Sequence, residues 1–249
     1  MIVHDSQLDL ATPTGAMHTY FYEPQLGNSR REKVPGIVFY SEIFQQTAPI
    51  RRLAIQLAGH GFVVAVPEVY HEHEPPGTVL GYDDVGKDKG NRYKYSTKLS
   101  TYDNDARVVI EALSGHARCD GRIGAFGVCL GGHLAFRAAF HREVLAAACF
   151  YPTDIHSATL GLGKSDDSLR RVTDIRGELL MVFGRQDPHI PVEGRAVIHQ
   201  SLEQSGVLYT WHEVNAAHAF MRDEGDRYDP ALARQCFGLA LDLFKRVLG

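Results

Sequence analysis

The stretch Arg122-Ile123-Gly124-Ala125-Phe126-Gly127-Val128-Cys129-Leu130-Gly131-Gly132-His133-Leu134-Ala135 runs from an apolar, β-rich segment through a glycine-flanked cysteine into a helical one. Few folds accommodate that order. A Gly-x-nucleophile-x-Gly turn requires glycine on both sides because side chains there would collide where the helix folds back over the strand. Cys129 stands where such a turn usually carries serine. At a helix N-terminus the partial positive charge favours a thiolate, and the Leu130 N–H is placed to receive an oxyanion.

The rest of the chain repeats the strand–helix alternation that parallel strands with crossover helices produce. Strands are expected over Thr19–Tyr22, Gly36–Tyr40, Phe62–Pro67, Arg122–Phe126, Ala146–Tyr151, Glu178–Phe183 and Tyr209–Val214. Helices are expected over Pro49–Ala58, Asp103–Leu113, Gly132–Phe140, Val192–Ser205 and Pro230–Val247. The pattern predicts an α/β fold, a mostly parallel central sheet with helices on both faces, in one domain spanning 1–249. Two polar stretches interrupt it. His71 to Thr101, with Pro75, Pro76, Gly77, Gly81, Gly86 and Gly90, reads as a long surface excursion able to cover a site, and Ser157 to Asp174 reads as a second insertion.

A net charge of -4 supplies no basic field for nucleic acid or anionic lipid. No apolar run approaches the roughly 18 residues of a membrane span, and the start of the chain has neither the basic residues nor the apolar core of an export signal. A cytoplasmic monomer or small homo-oligomer acting on a small molecule is expected, with the four cysteines as free thiols.

With Cys129 as nucleophile, an acid and then a histidine should follow in the chain. Asp187 comes after the strand ending at Phe183, and His218, among thirteen histidines, comes after the strand ending at Val214. Both fall in loops beyond strand ends, where open α/β sheets build their sites. His218 would take the thiol proton and return one to the leaving alkoxide, with Asp187 holding the ring.

These residues resemble the dienelactone hydrolase family, whose members carry a Cys-His-Asp triad on an α/β-hydrolase fold. The likeness extends to Gly184-Arg185-Gln186-Asp187, His218-Ala219-Phe220, Val66-Pro67-Glu68-Val69-Tyr70 and Glu42-Ile43-Phe44. It implies cleavage of a small ester or lactone through an acyl-enzyme, without metal or organic cofactor. It also implies that Glu42 contacts the resting thiol, that the Ile43 N–H completes the oxyanion hole with Leu130, and that Arg222 binds a substrate carboxylate. Phe44, Tyr70 and Tyr151 are expected on the substrate wall. Thioesterase, broad carboxylesterase and non-catalytic thiol-sensor readings share the same fold.

The sequence departs from the family at Tyr70-His71-Glu72-His73-Glu74, where well-known members place a carboxylate-binding arginine just after the tyrosine. Glu72 and Glu74 near the mouth would repel an anion, so a less acidic substrate is expected. Read as extended chain, the segment could turn His71 and His73 to one face, but no third metal ligand is evident, and a solvated loop is the favoured reading. His60 and His133 are read as structural. Tyr82, Tyr93 and Tyr95 are open between substrate wall and loop anchor.

Overall fold

The computed structural model describes residues 2–26 and 32–249. Eight strands form one sheet in the order β1-β2-β4-β3-β5-β6-β7-β8. They are β1 (Val3–Thr12), β2 (Gly15–Pro24), β3 (Val34–Tyr40), β4 (Val63–Pro67), β5 (Cys119–Val128), β6 (Val144–Phe150), β7 (Glu178–Gly184) and β8 (Tyr209–Val214). From β4 to β8 all pairings are parallel, while β2 joins β4 and β1 joins β2 antiparallel. Strands β3 and β4 are buried along their whole lengths, as helices on both faces require.

The helices are α1 (Ala48–Gly59), α2 (Asp84–Ser96), α3 (Leu99–Ser114), α4 (Leu130–Ala138), α5 (Val192–Ser205) and α6 (Pro230–Leu248). Pro230 opens α6 behind Asp229, whose carboxylate accepts the Leu232 N–H at 3.0 Å. Strand β3 has its successor β4 on one side and β5 on the other, so the strand order reverses there and leaves a crevice beyond the carboxyl ends. Directly beneath that crevice the rings of Phe39, Phe126 and Phe150 pack with centroids 4.9 and 5.1 Å apart. Burying such a ring contributes about 2–3 kcal/mol, which makes the platform under the site stiff.

Two elements differ from the sequence reading. Strand β1 was not expected: among its ten residues only Leu10 is buried, so its polar and apolar side chains show no one-sided pattern, and ladder pairing with β2 holds it. The 71–101 excursion is not a structureless loop, because it contains α2 and the start of α3, which begins at Leu99 rather than Asp103. Helix α2 is capped by Asp83, whose carboxylate accepts the Gly86 N–H at 2.7 Å. Its buried positions are Gly86, Gly90 and Lys94, so no apolar stripe marks it. It docks backbone against backbone: a Cβ on Gly90 would lie 2.5 Å from the Ile43 carbonyl oxygen.

The second insertion is tied to α4 by charge. Arg137 donates to Asp103, Asp166 and Asp167, and His133 Nε2 lies 2.8 Å from Ser168 Oγ. His133 is therefore a structural residue, buried in that network. Among the described residues no helix is long and apolar enough to cross a membrane.

Candidate active site

Cys129 sits between β5 and α4 with φ 58° and ψ -124°, a conformation that non-glycine residues occupy only under strain of about 1–3 kcal/mol. The turn is held from both sides: the Cys129 N–H donates to the Phe150 carbonyl at 3.0 Å, and its own carbonyl accepts from Gly132 at 3.0 Å. A Cβ at Gly127 would meet the Gly131 carbonyl oxygen at 1.9 Å, and one at Gly131 would meet the Tyr40 carbonyl oxygen at 2.0 Å. Glycine at these two positions lets α4 start against the ends of β3 and β5. The thiol thereby stands at the apex, over the crevice.

Asp187 and His218 reach the same place from the ends of β7 and β8. Asp187 is buried; its Oδ1 accepts the His189 N–H at 2.8 Å, and its Oδ2 lies 2.6 Å from His218 Nδ1. That contact fixes the proton on Nδ1 and leaves Nε2 for the thiol. Burial lowers the pKa of the His218 ring, but the Cys129 sulfur and the Asp187 carboxylate, both in hydrogen-bonding and Coulombic reach, outweigh it and hold the pKa above the ordinary imidazole value. Tyr151, itself at φ 37°, packs edge-on against His218 with centroids 5.1 Å apart.

The loop after β3 supplies the opposite lip. Leu130 is the first residue of α4, so its N–H has no partner within the helix; among the described residues neither it nor the Ile43 N–H is donated elsewhere. Glu42 lies in the cavity with Cys129, but its carboxylate accepts from the Tyr82 hydroxyl at 3.4 Å and pairs with Arg222 at 3.6 Å. Burial raises the Glu42 pKa above the usual carboxylate range, against the pull of Arg222 and His218. The Arg222 guanidinium lies over the Tyr82 ring at 4.1 Å and the Phe44 ring at 5.9 Å.

These residues line one cavity of about 540 Å³, a size suited to a small ligand. Glu42, Ile43, Phe44, Cys129, His218 and Arg222 all line it. Tyr70 and Tyr151, expected on the substrate wall, do not: both are fully buried behind it, and the Tyr70 hydroxyl donates to the Gly90 carbonyl at 2.9 Å. Leu130 is also buried, offering the site only its backbone.

Glu72 and Glu74, expected to charge the mouth negatively, are absent from the cavity wall. The chain after Tyr70 is a tight turn rather than extended, with the His73 and Glu74 N–H groups both donating to the Tyr70 carbonyl. His71 and His73 consequently find different partners. His71 pairs with buried Asp105 at 3.1 Å, His73 stacks on Tyr93 at 4.7 Å, and Glu74 engages Lys89 and Tyr93. Among the described residues no group of three or more His, Cys, Asp or Glu is placed to hold a metal ion.

Helix α2 contributes what sequence reading missed. Asp84, Lys87, Asn91 and Lys94 line the cavity at helical spacing, joined by Tyr82 and Asp83 before the helix and by Thr153, His189 and Arg227 from other loops. Of the three aromatic residues left open, Tyr82 is cavity wall, whereas Tyr93 and Tyr95 anchor the segment to Glu74 and Asp154. Helical periodicity across 84–96 would have revealed the charged stripe had the segment been read as a helix.

The description "Dienelactone hydrolase family" matches residues 17–248. The chain is 42% identical, over all of its length and 93% of the other's, to a Saccharomyces cerevisiae protein carrying the provisional name carboxymethylenebutenolidase. It is 29% identical to the carboxymethylenebutenolidase of Pseudomonas putida, over 82% of each chain. Among solved structures, a provisional dienelactone hydrolase from Klebsiella pneumoniae superposes with a TM-score of 0.83 at 20% identity, covering 99% of this chain and 100% of that one. A dienelactone hydrolase-like promiscuous phosphotriesterase from metagenomic libraries superposes at 0.80 with 17% identity, each chain covered in full. At those identities the structures speak for the fold, an α/β-hydrolase fold. Sequence kinship and fold agree: the chain belongs to the dienelactone hydrolase family and is an enzyme of its carboxylic-ester-hydrolase kind.

Proposed function

We propose that the enzyme cleaves a small carboxylic ester or lactone by covalent catalysis, with Cys129 as nucleophile, His218 as acid–base and Asp187 as the group that orients it. The observation that carries this reading is the 2.6 Å contact between Asp187 Oδ2 and His218 Nδ1, made by a ring that also engages the strained Cys129. His218 Nε2 takes the thiol proton, and the sulfur attacks the carbonyl carbon to form a tetrahedral intermediate. Its oxyanion is received by the Leu130 and Ile43 N–H groups. Collapse breaks the C–O bond, His218 gives its proton to the departing alkoxide, and a thioester to Cys129 remains. Water deprotonated by His218 then attacks that thioester, releasing the acid and restoring the thiol.

The test compares an aryl ester, a lactone and an acyl thioester as substrates for the native enzyme and Cys129→Ala. Turnover by the native enzyme should fall on the order of 10³-fold or more in the variant. Mass spectrometry of rapidly quenched native enzyme should find the acyl group on Cys129. Undiminished turnover by Cys129→Ala would refute the assignment.

A further inference from the structure

We propose that Lys94 is the residue by which this enzyme selects substrates carrying an anionic group, presented from α2 on a wall of the cavity separate from Arg222. The inference rests on the hydrolase reading above and adds the chemistry of the substrate's non-reacting end. Lys94 lines the cavity with Cys129 and His218, yet the residue is only 6% exposed. Long ammonium side chains are seldom so deeply placed without a task or a full set of partners.

Its partners do not exhaust it. An ammonium has three N–H groups. One donates to Asp154 Oδ2 at 2.9 Å, and the Tyr95 ring lies 4.4 Å from Nζ. Even with the Tyr95 hydroxyl taking a second, one N–H is left for the cavity. Asp154 in turn is fully occupied, its Oδ1 accepting from Tyr95 at 3.1 Å and from Thr159 at 2.9 Å. Asp154 therefore holds the Lys94 ammonium at a set depth, oriented before any ligand arrives.

The other cations of the cavity are differently placed. Lys87 is exposed and paired with Asp84 at 2.6 Å, Arg227 is exposed with Asp226 at 3.9 Å, and Arg222 is already shared between Glu42 and the Glu224 carbonyl. A carboxylate that fits between α2 and the thiol would meet Lys94 and the neighbouring Asn91, losing its water in exchange for a charge-assisted hydrogen bond. The fixed charge absent after Tyr70 is thus supplied from another element.

Three variants decide the matter, assayed on a monoaryl glutarate, which bears a free carboxylate, and on its methyl ester. The quantity read is the ratio of kcat/KM for the anionic over the neutral substrate. Lys94→Met should lower that ratio about tenfold or more, through KM, since one hydrogen bond to a charged group is at stake. Asp154→Asn keeps a hydrogen-bonding partner for Lys94 but removes the competing negative charge, so it should raise the ratio. The double variant, which leaves no buried charge unpaired, should match Lys94→Met and covers the case in which the single variant fails to fold.

A merely structural ion pair predicts otherwise: both single variants would impair the two substrates alike and leave the ratio unchanged, and that result overturns the proposal. Calorimetric binding of glutaramate, which carries the carboxylate but has no ester to cleave, should weaken in Lys94→Met and strengthen in Asp154→Asn, independently of turnover. Should Cys129→Ala retain full activity, the hydrolase mechanism falls, while the binding data still decide whether Lys94 recognises the anion.

Discussion

Gly131→Ala places a methyl group where the turn has no room. The added Cβ would sit 2.0 Å from the Tyr40 carbonyl oxygen and 2.5 Å from that of Ser41, against an ordinary contact of 3.4 Å or more. Both obstructing atoms are backbone, so no rotamer change relieves the clash, and α4 must move off the end of β3 by on the order of 1 Å. That displacement carries Cys129 and the Leu130 N–H away from Ile43. Misplacement by about 1 Å costs roughly 10²-fold in rate, and forced overpacking costs about 1–3 kcal/mol of stability. For a chain of this size each kcal/mol moves Tm by about 2–4 °C. Ester turnover and calorimetric unfolding should thus show kcat down on the order of 10²-fold and Tm down by roughly 2–12 °C. Wild-type kcat with an unchanged Tm would show that the glycine is not required for close approach and would undo the account of the turn.

Gly238→Ala, in the middle of α6, is the opposite case: an added Cβ meets nothing within 4 Å, so Tm should rise by roughly 1–4 °C with kcat unchanged. A fall in Tm would contradict this. Burial raises the Asp154 pKa, but the Lys94 charge together with hydrogen bonds from Thr153 and Lys94 outweighs it, so the carboxyl titrates below its ordinary range in the folded state. A depressed carboxylate pKa stabilises the fold above the unfolded value of about 4 and loses that contribution as pH falls toward the folded value. The Tm advantage of the native enzyme over Asp154→Asn should therefore hold from pH 7 to about 5 and shrink below about 4. An advantage that grew on acidification would reverse the sign assigned to the pair.

Cys129, Asp187 and His218 stood out in the sequence because they follow three strands in nucleophile–acid–histidine order, Cys129 and Asp187 beyond the largely buried, apolar β5 and β7 and His218 beyond the partly exposed β8. What sequence did not reveal has identifiable physical causes. Helix α2 buries glycines and a lysine, so a search for apolar periodicity has nothing to detect there. Strand β1 lies at the sheet edge with nearly all of its side chains in solvent. The sequence reading puts Tyr70 and Tyr151 on the substrate wall, but residue type does not say which way a side chain leaves the backbone, and the positive φ of Tyr151 belongs to a turn that packs its ring edge-on against His218. Reading the segment after Tyr70 as extended chain turned His71 and His73 to one face, whereas the backbone there is a tight turn and the two rings find different partners.

Because Gly90 has no side chain, α2 rests directly on the Ile43 carbonyl, and the Leu80 N–H bonded to the Phe44 carbonyl at 3.1 Å links the same two segments. No deformable layer separates them. The segment proposed to touch the distal end of a ligand and the residue whose N–H is proposed to face the reacting carbonyl are therefore in direct backbone contact. A ligand too large for its place beside α2 would displace Ile43, and with it the N–H proposed to receive the oxyanion, so poor fit far from the sulfur would be felt in the rate of bond breaking and not only in occupancy.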